Sequence, residues 1–492
     1  MRFFRACTVT VVLFLSFIWH GDVSAQEKTK LELTLDKVSE MTLANNLDIQ
    51  IAKYDAYIKR NDIYNAISIF DAILSGSVTY EDDQLKRTSS IGGSKSKSSD
   101  YNLGVLKKLN TGTTVEFDYD HSRDWSDSSF ATLNPAHDAQ ASVALKQDIG
   151  KNFFGIIDRN DVAITRLEIE NSDYSSIDKI EAYLADTQKA YWKFVLNREK
   201  VTIYEEMLDR ASSLYKIYTQ KVKIGLAEEP DLYAAEANVG IRKNQLLVSQ
   251  NDLQLAENDL LLKLNLESRN TIEIVTSEIL TIDRVEQQDF LSSLRLAIDK
   301  RRDYQQALNE VKSKKLNLVT KKNSLWPEID LEGMFAMNGV AKKFADAFQR
   351  VGDVDHQEYA FGVSFSYPLE NSDAKGKYYS AQLEKAKSIV LLKKKEREIV
   401  VEINDGIATV NSQLEQVRNN HAIVQLQEAK LQQEEKRFRL GRSNSDTLIR
   451  FHDDLLEAKI TFVESLYQFY GKFIDLRVKE NSLLDEYGES VL

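Results

Sequence analysis

From Ile156 to Ile224 the chain contains neither glycine nor proline, and so long an uninterrupted run has one regular outcome. At about 1.5 Å per residue it allows a single helix on the order of 100 Å, far longer than a globular core requires. Only 4 prolines and 19 glycines punctuate the 492 residues, and most of the glycines sit in a few windows. Long helices therefore dominate the reading. A charged fraction of 28% beside 42% hydrophobic residues suits helices with solvated Lys/Glu faces.

The chain also says nearly the same thing twice. A return arm that begins with Gly225 and Asp231 recurs as one that begins with Gly441 and Asp446. The first arm places Leu232, Ala235, Val239, Arg242, Leu246, Ser249, Leu253, Ala256 and Leu260 at alternating three- and four-residue steps. The second places Leu448, Phe451, Leu455, Ala458, Phe462, Ser465, Phe469, Lys472 and Leu476 at the same steps. A heptad spacing held that long predicts supercoiled helix pairs. The expected fold class is mainly α with membrane β-barrel strands: a strand pair plus a long coiled-coil hairpin, duplicated.

Arg2 and Arg5, an apolar stretch from Val9 to Trp19, and Val23, Ser24 and Ala25 form the three parts of an export signal, so residues 1–25 are expected to be removed. Cys7, the only cysteine, lies inside that segment, which leaves no disulfide. The expected divisions are then a first repeat over 26–265, a connecting equatorial segment over 266–290, a second repeat over 291–480 and a tail over 481–492. A formal charge of −12 argues against nucleic acid as a partner. No later stretch approaches the roughly 18 apolar residues of a spanning helix, so any membrane crossing must use strands.

Candidate strands lie at 73–80, 101–107, 113–120 and 141–149 in the first copy, and at 329–337 and 359–367 in the second. Their alternation is the weak signature of a membrane barrel strand. It is equally compatible with a solvated sheet packed on helices. Four to six strands from one chain leave open edges that hydrocarbon does not tolerate, so a barrel would need several copies.

The order of these features resembles the TolC-type outer-membrane efflux protein family over essentially Leu31 to Asn481. A helix start at Leu33, Thr34, Leu35, Asp36 and Lys37, leading to Ala44, Asn45, Asn46, Leu47 and Asp48, recurs at Leu294, Leu296 and Ala297 through Arg302 and Asp303. The family's Pro-containing strand entry reads Trp326, Pro327, Glu328, Ile329, Asp330 and Leu331, and more loosely Phe70, Asp71, Ala72 and Ile73. Its strand exit reads Tyr367, Pro368 and Leu369, with Gln147, Asp148 and Ile149 in the first copy. The hairpin tips read Arg437, Phe438, Arg439, Leu440 and Gly441, and Lys223, Ile224, Gly225 and Leu226.

This resemblance implies a homotrimer in the cell outer membrane. Three protomers would share a twelve-stranded barrel in outer-membrane lipid and a twelve-helix tunnel across the periplasm. It implies a passive duct of a tripartite efflux or type I secretion system, with a periplasmic adaptor (membrane fusion) protein and an inner-membrane transporter as partners. No cofactor is implied. The first copy carries an additional hairpin, 101–107 and 113–120, turning at Asn110 to Gly112. It could extend outside the cell, fold into the mouth or enlarge the barrel, and the extracellular side is expected.

In the family the hairpin tips close the tunnel. By resemblance Asp231 stands where an acidic latch residue belongs, Arg442 is its cationic partner on the second hairpin, and Asp446 occupies a constricting acidic ring, if one residue is deleted after Gly441. Three such carboxylates around a bore attract cations and repel anions. Two positions depart from the pattern: Ile449 stands where a second acidic ring would need Asp, and Phe438 where the latch has a hydroxyl. Gly225, Leu226, Leu440 and Gly441 are the expected adaptor contacts.

Each of these residues also has a plainer role. Asp231 after Pro230, and Asp446 with Ser443 and Ser445, suit helix starts, and Gly225 and Gly441 suit helix ends. Tyr204, Tyr215, Tyr218, Phe451, Phe462 and Phe469 suit packing. An enzyme is not expected: His121, His137, His356, His421 and His452 are scattered, and no zinc, phosphate-loop or nucleophile motif is present. Asp82 with Asp83, or Asp118 with Asp120, reads as a solvated pair rather than a metal site. The alternative class is a periplasmic coiled-coil adaptor without a pore, which should carry one hairpin flanked by small β domains.

Overall fold

A computed structural model describes residues 29–86, 93–266, 272–276, 278–280, 287–353 and 356–487. The expected signal peptide with Cys7, about half of the 266–290 segment and the last residues of the tail lie outside the described residues. The chain opens with β1 (Thr29–Glu32) and then α1 (Leu35–Asn45), α2 (Leu47–Arg60) and α3 (Asp62–Ile67). Four strands follow: β2 (Ala72–Asp83), β3 (Ser96–Lys108), β4 (Thr113–Ser126) and β5 (Ala136–Asp148). The first hairpin is α4 (Ile156–Lys223) and α5 (Glu229–Lys263), closed by β6 (Ile272–Val275). The second half repeats the plan with α6 (Phe290–Lys300), α7 (Arg302–Asn323), β7 (Glu328–Ala341), α8 (Phe344–Arg350), β8 (Gln357–Ser366), α9 (Ser372–Arg439) and α10 (Ser445–Glu480).

Both α4 and α9 contain 68 residues, or about 100 Å of helix; the Gly/Pro-free run predicts this for α4, while α9 stays helical through Gly376 and Gly406. The return arms are only about half as long, at 35 and 36 residues. The other half of each long helix is covered from the opposite end. Arg60 on α2 bonds Asp173 on α4 at 3.1 Å, and Lys314 on α7 meets Glu384 on α9 at 3.4 Å. Each long helix thus has two partners in series, which exchange at a waist.

The waist is locked by polar groups. Thr34 caps α1 by accepting from Lys37 N, and Asn46 caps α2 while its Nδ2 donates to Lys263 O at 2.7 Å, which ties the start of one partner to the end of the other. Strands β1 and β6 pair in parallel beside them. Tyr191 Oη, fully buried, donates to Glu278 Oε2 at 2.8 Å. In the second copy Arg302 reaches Asp178 at 2.6 Å and also Glu181. Glu181 is fully buried, and it accepts further from Asn481 Nδ2 at 2.8 Å and Leu483 N at 2.9 Å. Burial raises the Glu181 carboxyl above its usual range, against the pull of Arg302.

All six expected strands form, five of them several residues longer than their alternation windows, in one antiparallel sheet of order β2-β3-β4-β5-β7-β8. The added hairpin does not project beyond the sheet, as expected of it, but supplies two of its interior strands. Every residue from Ala72 to Asp83 pairs with β3, and every residue from Ser96 to Lys108 pairs with β2 or β4. Its Asn110–Gly112 turn points towards the helices, where Asn110 O accepts from Arg159 and Lys108 meets Asp158 at 2.7 Å. The chain therefore forms six strands in one sheet, where the expected twelve-stranded trimer would take four from each copy.

One face of this sheet is apolar and the other polar. The row Leu74, Val105, Phe117, Val143, Phe335 and Tyr359 crosses all six strands on one side. The row Ser77, Asn102, Asp120, Gln140 and Asn338 crosses five of them on the other. The apolar residues are bare: Phe361 is 85% and Val78 73% exposed. At the end far from the helices α8 lies on the apolar face. Its Ala347 O would stand 2.4 Å from a Cβ on Gly339, so that position needs glycine. The scattered histidines His121 and His137 meet there, Nε2 to Nδ1 at 3.0 Å, under Phe344. Among the described residues no group of three or more His, Cys, Asp or Glu could hold a metal.

Candidate gate at the hairpin tips

The two tips are built alike. Helix α4 ends with Leu226 N donating to Lys221 O at 2.8 Å and Gly225 N to Val222 O at 3.0 Å, with φ 72° at Gly225. Helix α9 ends with Arg442 N donating to Arg437 O at 2.9 Å and Gly441 N to Phe438 O at 3.0 Å, with φ 73° at Gly441. Both are glycine-terminated Schellman caps, and an L-residue at either glycine would be strained. The tips expose apolar side chains at Ile224, Leu226 and Leu440.

The return arms start differently. Helix α5 carries Pro230 in its first turn and no side-chain cap, whereas α10 is capped by Asn444, whose Oδ1 accepts from Thr447 N at 3.0 Å. Capping therefore falls to Asn444 rather than to Ser443, Ser445 or Asp446. Ser445 is buried, and its Oγ donates to Asp231 Oδ1 at 2.8 Å, joining the two arms. Among the described residues Asp231 takes this bond from Ser445 rather than from Arg442, which stands exposed. Phe438 is buried against Tyr218, with the Lys221 ammonium 4.5 Å from its ring centre. Burial raises the Tyr218 phenol, and the charges of Asp231 and Asp446 add to the shift.

Above the tips, between α5 and α10, lies an open groove of about 670 Å³ lined by Tyr204, Asn238, Arg242, Asp446, Ile449 and Asp453. Asp446 is exposed at its lower end. Ile449, one turn above, presents a hydrocarbon where a second acidic ring would need a carboxylate. Arg242 is buried at a heptad position, with its guanidinium on the Asp453 carboxylate of α10 and on Gln245. Nearby His452 is buried and its Nε2 has no hydrogen-bond partner, with Glu435 3.8 Å away. Burial, followed by the charges of Arg210 and Arg242, lowers its pKa to about 4. Spacing placed Arg242 in the seam, but it carried no sign of Asp453 or His452 as neighbours.

No family model matches the sequence, and no curated protein matches it. Solved structures do. CusC, described with transmembrane channel formation, superposes with a TM-score of 0.69 at 14% identity over 92% of each chain. The CmeC outer membrane channel of Campylobacter jejuni gives 0.63 at 14% identity, over 97% of this chain and 94% of that one. The chain has the TolC-type outer-membrane channel fold. The MtrE outer membrane channel of Neisseria gonorrhoeae, in its open state, gives 0.66 at 15% identity, over 91% of this chain and 89% of that one. The channel fold spans both repeats, so the doubled hairpin and the sheet belong to one architecture. Relative to that fold, Gly225 and Gly441 mark the ends of the two hairpins farthest from the sheet.

Proposed function

We propose that three copies of this chain form a passive duct through an outer membrane and across the periplasm, opened at the hairpin tips by an adaptor and an inner-membrane pump. The observation that carries this reading is the two-faced sheet set on helices about 100 Å long. A bare apolar row on one side and a polar row on the other suit lipid outside and water inside. Helices of that length pair in water by heptad packing and continue the conduit. The exposed Ile224, Leu226 and Leu440 suit contact with an adaptor. The exposed Asp446 suits a ring facing the bore, and the exposed guanidinium of Arg442 suits a latch to a neighbouring protomer. A poreless adaptor would have no use for so large an apolar sheet face.

Purified in detergent, the protein should sediment as a threefold assembly and conduct ions across a planar lipid film. A stable, water-soluble monomer that never conducts would overturn the reading.

A further inference from the structure

We infer that the barrel of this duct contains eighteen strands, six from each of three protomers, and is wide enough for a pair of α-helices. This inference rests on the duct reading above. Its starting point is the added hairpin, β3 and β4, which forms full-length ladders with β2 on one side and β5 on the other. The apolar and polar rows run through it without interruption: Val105 and Phe117 continue the first, Asn102 and Asp120 the second. A hairpin held outside the membrane would have no reason to keep that register of faces.

The open edges match. Strand β2 leaves the helical end and β8 returns to it, so β8 of one copy and β2 of the next lie antiparallel when copies stand side by side. Both edge strands are exposed along nearly their whole length, as strands lacking a neighbour must be, and hydrocarbon leaves such edges no alternative to closure. The occupant of each edge is thus another copy of this chain. Insertion of two strands per protomer preserves this antiparallel match, because an even number keeps the chain direction.

Width follows from strand count. With strands about 4.8 Å apart and tilted about 40°, a twelve-stranded barrel measures roughly 24 Å between backbones and an eighteen-stranded one roughly 36 Å. Lining side chains remove about 10 Å of that. The narrower barrel would then admit one α-helix of about 10–12 Å diameter, and the wider one a helical pair. In the wider case the barrel does not limit cargo size, and the limit falls on the hairpin tips.

The test is a reconstruction of the wild-type assembly in lipid discs by electron cryomicroscopy, counting strands in a mid-membrane section. Eighteen strands around a threefold axis are expected. A threefold ring of twelve, with Ser96 to Ser126 lying outside the barrel, overturns this inference and leaves the duct. A ring of any other copy number overturns both. An independent check labels single cysteines on β4 in cells with a membrane-impermeant maleimide. Asp118→Cys, facing the bore, should react, and Phe117→Cys, facing lipid, should be protected at least tenfold; equal reaction at both sites would place the hairpin in water and overturn the inference.

Discussion

Ser445 Oγ donates to Asp231 Oδ1 at 2.8 Å, so the first turns of the two return arms hold one another directly. The bond crosses between the hairpins beside the Tyr218–Phe438 contact, and its donor is buried. Ser445→Ala should therefore loosen the tips by about 1 kcal/mol, the scale of a partly wet hydrogen bond to a charged acceptor. Faster amide exchange over 225–235 and 441–448, with the waist unchanged, is the expected result. Exchange unchanged at the tips would show that the bond contributes nothing there.

Acid should weaken the same region through His452. Its folded pKa, about 4, lies below the ordinary 6.5. The unfolded chain therefore binds the proton more tightly, and the stability gained from the neutral ring is present above pH 6.5 and lost as pH falls towards 4. The full effect is about 3 kcal/mol per chain at most. The charges acting on the ring or sharing its cavity are Glu206, Asp209, Arg210 and Lys221 on α4, Arg242 on α5 with its partner Asp453, and Glu435 and Arg439 on α9. Melting temperature should drop between pH 7 and 4.5 in the wild type and drop less in His452→Gln. Equal drops would remove His452 from the explanation.

Arg242 is buried while its partner Asp453 is half in water. Asp453→Asn strands a buried guanidinium, which costs about 3–5 kcal/mol in a fully buried pair and less here, about 2 kcal/mol, because the carboxylate side is solvated. Arg242→Met, which keeps the volume and removes the charge, should be milder than Asp453→Asn. Denaturation of both variants gives the ordering, and the reverse order would mean that the pair is not a desolvated one.

The two faces of β8 make a sharper comparison. Phe361→Arg would place a charge on the apolar face and should cost about 2–4 kcal/mol or block assembly. Ala360→Arg, on the polar face beside it, should be tolerated. Folded yield in outer-membrane fractions distinguishes them, and a well-assembled Phe361→Arg protein would deny that this face meets lipid.

For the tips, Asp446→Ala should reduce cation preference in single-channel recordings, since three carboxylates would leave a narrow bore. The current-reversal potential in a salt gradient reads this directly. An unchanged potential would assign Asp446 to the wider part of the path.

Much of this architecture was readable along the chain because it is written in near neighbours. The Gly/Pro-free run specified α4, the heptad residues from Leu232 to Leu260 and Leu448 to Leu476 specified the seams, and alternation marked all six strands. Gly225 and Gly441 marked the tips because a helix end needs a residue that accepts positive φ. What remained hidden was the set of partners. Asp231 was matched to Arg442, yet its hydrogen bond comes from Ser445; the added hairpin was assigned to the cell exterior, yet it lies inside the sheet. Glu181 with Arg302, Asp453 with Arg242 and His121 with His137 had no signature at all. Periodicity constrains which face of an element turns inward, a matter of residues a few positions apart. Which side chains then meet depends on how far packed helices and strands slide past one another, and that is settled only when burial, closure of ladders and pairing of charges are satisfied together.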